Sequence, residues 1–171
     1  MPTLPHAIVV IGVAGSGKTT LASGLARHYG HVFLDADDFH SAQARAQMAS
    51  GVPLDDAQRE PWVAALAREL RRLASLGQSS VLAFSALRAA HRQRLRESGV
   101  PMRFVFLRVP AASIATRLAT RRDHYMPASL LASQFDALEP PVAEPDVITI
   151  AVDDDAPAQV LETAIAALDG T

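Results

Sequence analysis

Three stretches of this chain carry residue types suited to phosphate, metal and hydroxyl chemistry. The first reads Gly12-Val13-Ala14-Gly15-Ser16-Gly17-Lys18-Thr19, a full match to the loop pattern that wraps a polyphosphate. Gly12, Gly15 and Gly17 let the backbone turn with its amides inward, and they keep side chains away from the phosphates. Lys18 is placed to reach the β- and γ-phosphates of ATP, and the Thr19 hydroxyl to ligate Mg²⁺. Ser16 and Thr20 complete the ATP contacts expected of this stretch.

The second stretch is Asp35-Ala36-Asp37-Asp38. Many phosphate-loop ATPases end a later strand in an acid that holds Mg²⁺, but here Val81–Phe84 runs into Ser85-Ala86. The metal role therefore moves to Asp35, as a water-mediated contact. Asp37, two residues on along an extended chain, is expected to orient or deprotonate an acceptor hydroxyl. The competing reading is that these acids cap the following helix, and Asp38 fits that reading better than function.

The third stretch places Arg117, Arg121 and Arg122 at a helix end, followed by His124 and Tyr125. Guanidinium forks grip phosphate oxygens and offset the charge of a transferring phosphoryl group. Arg117 and Arg121 share a helical face. Arg121 is the expected catalytic cation, alongside Lys18 and Asp37, and Arg117 is expected to serve ATP. A solvated basic helix end is the alternative, and Arg122 fits it best.

Positioning these groups requires an alternating pattern of strands and helices. Ala7–Ile11 is a continuous apolar run, as for a strand buried on both faces, and Lys18 to Tyr29 is a helix closed by Gly30. Further strands are expected at Val32–Leu34, Ser80–Phe84, Arg103–Val109 and Val147–Val152. Further helices are expected over Asp38 to Ser50, from a cap at Asp55 or Asp56 to Gly77, and over Arg88 to Glu97. Three more are expected at Ala111 to Thr120, Met126 to Ala137 and Pro157 to Leu168. Such alternation implies a parallel sheet covered on both faces. Its strand ends face the ligand crevice. The proline-rich stretch from Leu138 to Asp146 reads as a loop. Residues 1–171 are expected to form one phosphate-loop kinase domain, with a lid at about 121–137.

Composition narrows the partners. The 171 residues suit one domain that buries roughly 70% of its unfolded surface. With 16 basic and 18 acidic residues the net charge is -2, which argues against nucleic acid or an anionic membrane as the main partner. The absence of cysteine removes disulfides and thiolate metal sites and fits a reducing compartment. The short Ile8–Ile11 run is neither a signal nor a membrane segment, so a cytoplasmic location is expected. His6, His28, His31 and His91 read as surface histidines, and Trp62 as a core anchor on its helix.

Beyond the phosphate loop, Leu34-Asp-Ala-Asp37-Asp-Phe-His40 and the run from Met48 through Gly51-Val-Pro53-Leu54-Asp55-Asp56 to Arg59-Glu-Pro61-Trp62 are distinctive. So are Ser85-Ala86-Leu87-Arg88, Arg121-Arg-Asp-His124-Tyr125, Gln134-Phe135 and Leu138-Glu139-Pro140. Together they resemble the gluconokinase family, which phosphorylates D-gluconate on its 6-hydroxyl with ATP. The resemblance implies a nucleoside-monophosphate-kinase type of three-layer fold, a five-stranded parallel sheet, a mobile lid and a homodimer. It implies that Asp37, His40, Arg59, Ser85, Arg88 and His124 meet the sugar acid, and that Met48, Pro53, Leu54 and Trp62 are structural. The chain departs from the family at Ser41, where proline is usual, at Ala44 and Gln47, where asparagine and lysine are usual, and at Asp123, where glycine is usual. The missing lysine matters because a sugar acid's carboxylate wants a cation, which Arg45 or Arg88 would supply. Another small polyol, sugar acid or shikimate-like acceptor is the rival enzymatic reading. A nucleotide-binding regulator without transfer activity is the non-enzymatic one.

Overall fold

The computed structural model describes residues 4–120 and 128–171. Strand β1 (Ala7–Ile11) lies at the centre of the sheet, flanked by β3 (Ser80–Ala83) and β4 (Met102–Arg108). Beyond them lie β2 (Val32–Asp35) and β5 (Val147–Ala151), giving the order β2-β3-β1-β4-β5 with every pairing parallel. All five residues of β1 are buried, which is why its sequence is apolar without alternation. The strand nevertheless feeds two separate cores. Ile8 and Val10 face one side, with α1 (Lys18–Tyr29), α5 (Ala111–Thr120) and α7 (Pro157–Asp169). Ala7, Val9 and Ile11 face the other, with α3 (Asp56–Ser75) and α4 (Ala89–Arg96).

The expected strands and most helices are present within a residue or two of their bounds. The expected helix from Asp38 to Ser50 is not one element. A short 3-10 turn spans Ala36–Phe39, the chain is extended at His40, and α2 begins afresh as Ala42–Ala49. Ser41 causes the restart, because its hydroxyl accepts a hydrogen bond from the Ala44 amide as an N-cap. The cap of the 3-10 turn is Asp35, whose carboxylate accepts from the Asp37 amide. Asp38 caps neither helix, so the capping role expected of it falls to Asp35 and Ser41. Asp37 likewise sits on the turn rather than on an extended strand.

Asp55 forms a reciprocal capping box with Gln58 at the start of α3. That helix carries Trp62, Val63, Leu66 and Leu70 into the core. The expectation for His91 fails: it is 7% exposed and packs inward on α4, with Arg92 beside it at 1%. Arg92 donates to both carboxylate oxygens of Glu144 and to the carbonyls of Ala86, Leu87 and Glu139. It thereby ties α4 to the loop after α6 (Ala128–Ala137). Ala86, with φ of 45°, is the one non-glycine residue in the left-handed region among the described residues. The Arg92 bond to its carbonyl helps hold that strained turn in place.

Candidate functional site

The carboxyl ends of β1, β2 and β3 open onto a cavity of about 880 Å³. The phosphate loop forms one wall. Gly12 has φ of 150°, and a Cβ there would fall 2.9 Å from Ser16 Oγ and 3.0 Å from the Leu107 carbonyl oxygen. Any side chain would therefore push the loop off the sheet. Gly17, left-handed at φ 96°, opens α1 with no side-chain cap and no acid in the first turn. The first amides of α1 are thus left to an anion, with the helix dipole behind them. Ser16 Oγ is buried without a hydrogen-bond partner, and Lys18 Nζ donates to the Val13 carbonyl at 2.9 Å.

Across the cavity, Thr19 Oγ1 donates to Asp35 Oδ2 at 3.2 Å. The two oxygens converge where a phosphate-bound cation would sit. This donor set fits Mg²⁺, which takes oxygen ligands and keeps waters and substrate phosphates in its shell. Among the described residues no cluster of three or more His, Asp or Glu side chains offers an all-protein metal cage.

The 3-10 turn brings Asp37, Asp38 and His40 to the same wall. Trp62 secures it by donating Nε1–H to the Ala36 carbonyl at 2.7 Å. Its indole stacks on His40 at 3.9 Å between ring centroids and meets Phe84 edge-on at 5.0 Å. The Asp37 side chain is 85% exposed, and one of its oxygens lies 3.9 Å from His40 Nε2. Burial pushes the His40 pKa below the usual imidazole range; Asp37 opposes this, and Arg45 and Arg59 reinforce it. His40 is therefore a neutral imidazole at pH 7.

Ser85 lines the floor, and its carbonyl accepts from the Gly12 amide. Arg59 lines the wall, 3.6 Å from Asp56, with its side chain 16% exposed. Arg88 does not line this cavity: it lies 3.8 Å from Asp56 and 3.6 Å from Glu139. Arg121 and His124, with Arg122 and Tyr125, lie outside the described residues.

Several lining residues were not expected. Met48, Pro53, Leu54 and Trp62, read as structural, all border the cavity. So do Ala49, Leu130, Ser133 and Gln134, together with Arg45, one of the two cations expected for the carboxylate. The spacing of Arg45, Met48 and Ala49, and of Leu130, Ser133 and Gln134, is that of one helical face, the signal that would have found them. Gln134 also accepts a 2.6 Å hydrogen bond from the Ala14 amide, joining α6 to the phosphate loop. The departures at Ala44 and Gln47 lie off the cavity. Gln47 donates to the Pro53 carbonyl and exchanges amide hydrogen bonds with Gln58, pinning α2 to α3.

A second cavity of about 350 Å³ lies on the other side of the phosphate loop. Gly15, Gly17 and Thr20 line both cavities. Leu107, Val152 and Val160 supply apolar walls suited to a planar base. Arg117 borders this cavity, donating to the Asp153 carbonyl at 3.1 Å and to the Ser16 carbonyl at 3.5 Å. Two cavities that share one glycine-rich loop, on a five-stranded parallel sheet, are the arrangement of a phosphate-loop kinase.

The comparisons narrow that class. A family model described as an AAA domain matches residues 8–141. Gluconokinase from Gluconobacter oxydans is 41% identical over 146 residues, spanning 85% of this chain and 82% of that protein. The crystal structure of a gluconokinase from Sinorhizobium meliloti 1021 superposes with a TM-score of 0.88 at 35% identity, covering 98% of this chain and 93% of that one. An unliganded sugar kinase from Janibacter sp. HTCC2649 gives 0.86 at 43% identity, covering 95% and 94%. The chain belongs to the gluconokinase family.

Proposed function

We infer that this chain transfers the γ-phosphoryl group of ATP to the 6-hydroxyl of D-gluconate, giving 6-phospho-D-gluconate and ADP. The observation that carries the reading is the pair of cavities meeting on the loop from Gly15 to Thr20, within a chain of this family. ATP lies with its base against Arg117 and its phosphates over Gly12, Gly15, Ser16, Gly17, Lys18, Thr19 and Thr20. Thr19, and Asp35 through water, would hold Mg²⁺, which would supply charge neutralisation at the phosphates. The acceptor lies across Asp37, His40, Arg59 and Ser85.

The chemistry asked of the side chains is small. Asp37 aligns the acceptor hydroxyl and takes its proton as the oxygen bonds to phosphorus and the bond to ADP oxygen breaks. Lys18 spreads the charge of the transferring group, and Arg121 joins it in the same role. Positioning in a water-poor chamber supplies most of the rate, and a lid that includes α6 closes it. The whole chain acts as one kinase domain, and the cytoplasmic location and homodimer belong to the same reading. Among the described residues no helix is long and apolar enough to cross a membrane. Turnover is tested by coupled ADP release with gluconate, ATP and Mg²⁺. Steady release dependent on gluconate is expected, and none would sink the reading.

A further inference from the structure

The sequence leaves two candidates, Arg45 and Arg88, for the cation that a sugar acid's carboxylate needs, and their surroundings separate them. Among the described residues, the cations lining the acceptor cavity are Lys18, Arg45 and Arg59. Lys18 belongs to the phosphate loop. Arg88 lies 3.8 Å from Asp56 and 3.6 Å from Glu139 and does not line the cavity. Arg45 comes from the cavity face of α2, and its Nη2 donates to the Asp37 carbonyl at 3.2 Å. That bond fixes the guanidinium beside the acid assigned to the acceptor hydroxyl and leaves its other donors for a ligand.

Arg59 arrives from α3, and both guanidiniums act electrostatically on the same imidazole, that of His40. The His40 side chain is 4% exposed, and its Nδ1 is buried without a hydrogen-bond partner. Arg45, Arg59 and His40 thus line one cavity, and among the ion pairs of the described residues no carboxylate bridges Arg45 to Arg59. Asp56, the partner of Arg59, is itself 67% exposed and lies only within 3.6 Å, too long for a hydrogen bond.

We propose that Arg45, with Arg59 across His40, receives the carboxylate of the acceptor and so makes the site choose sugar acids over neutral polyols. The inference rests on the gluconate reading above. It names Arg45 as the specificity-determining residue of that site. A guanidinium fork on a carboxylate gives both charge and direction. The end of the acceptor opposite the reacting hydroxyl is then fixed from α2, the helix on which Gln47 has been turned away to Gln58.

The test compares the unaltered protein with Arg45→Gln, Arg45→Lys and Arg88→Gln, using gluconate and the hexitol that lacks the carboxylate. Arg45→Gln is expected to raise the KM for gluconate by about tenfold to a hundredfold, the range for losing a charged hydrogen bond. The KM for ATP should stay within about twofold, which also reports a folded loop. Discrimination against the hexitol should collapse, and Arg45→Lys should recover part of it. Arg88→Gln should leave the gluconate KM nearly unchanged. An unchanged gluconate KM in Arg45→Gln, or a rise confined to Arg88→Gln, would overturn the proposal. Failure of the unaltered protein to use gluconate would instead overturn the functional reading on which it rests.

Discussion

Asp37 shows how a side chain can be left available while its backbone is fixed. Its amide donates to Asp35, its carbonyl accepts from Arg45, and its carboxylate is 85% exposed into the cavity. A general base needs that combination of reach and fixed origin. Asp37→Asn keeps the shape and removes the proton acceptor. It should lower kcat about 10²- to 10⁴-fold while the KM for ATP changes little. Initial-rate kinetics with varied ATP decide it, and an unaltered kcat would take Asp37 out of the reaction. At this scale the glycine-rich loop was legible from its spacing, and Asp35 from its place at a strand end, although Asp37 and Asp38 stand beside it. Arg45 was legible as one of two candidate cations for the carboxylate, with nothing in the sequence to choose it over Arg88. What distinguishes it is the bond to the Asp37 carbonyl, and backbone acceptors are invisible in a sequence.

At the scale of elements, α4 explains a misreading. Its sequence, Ala89 to Arg96, has almost no apolar stripe, yet it buries His91, Arg92 and Leu95. Hydrophobic periodicity cannot reveal which face of a helix is buried when that face carries an arginine and a histidine. Arg92 is tolerated because Glu144 and three carbonyls satisfy its donors. Arg96 adds a second guanidinium to the same glutamate. The arginines, Arg92 first, hold the Glu144 carboxyl below the usual carboxylate range. Glu144→Ala would leave Arg92 buried and uncompensated, at a cost of about 3 kcal/mol or more. Urea unfolding monitored by circular dichroism measures this, and a loss under about 1 kcal/mol would show that water reaches Arg92 instead. The split of the expected 38–50 helix has a similar origin. Ser41 is an ordinary N-cap, but the apolar spacing around it carried no break.

At the scale of the whole molecule, two buried histidine side chains make stability depend on pH. His40 faces Asp37, Arg45 and Arg59, and His91 faces Arg59, Asp56, Glu60 and Arg88. Burial, ahead of the neighbouring charges, lowers both pKa values from 6.5. In acid the unfolded chain therefore binds protons before the folded one does. The stability these rings contribute is present above pH 6.5 and is lost as pH falls below it. Glu144, with its pKa held below 4.5, adds a further loss only in stronger acid. Thermal melts at about pH 7 and about pH 5 should show a falling midpoint, and His91→Gln should flatten that fall. An identical pH slope in His91→Gln would show that the ring titrates freely. The sheet order and two-sided core follow from alternating strands and helices, which is why the architecture was readable from β1 outward.

The choice of acceptor is the claim on which the account turns, and a panel measured by kcat/KM tests it most directly. Gluconate, other sugar acids, the corresponding hexitol and shikimate would be compared at fixed ATP and Mg²⁺. The account predicts gluconate as the clear winner, with the hexitol the weaker for want of a carboxylate at Arg45. A neutral polyol or shikimate turned over faster than gluconate would contradict it.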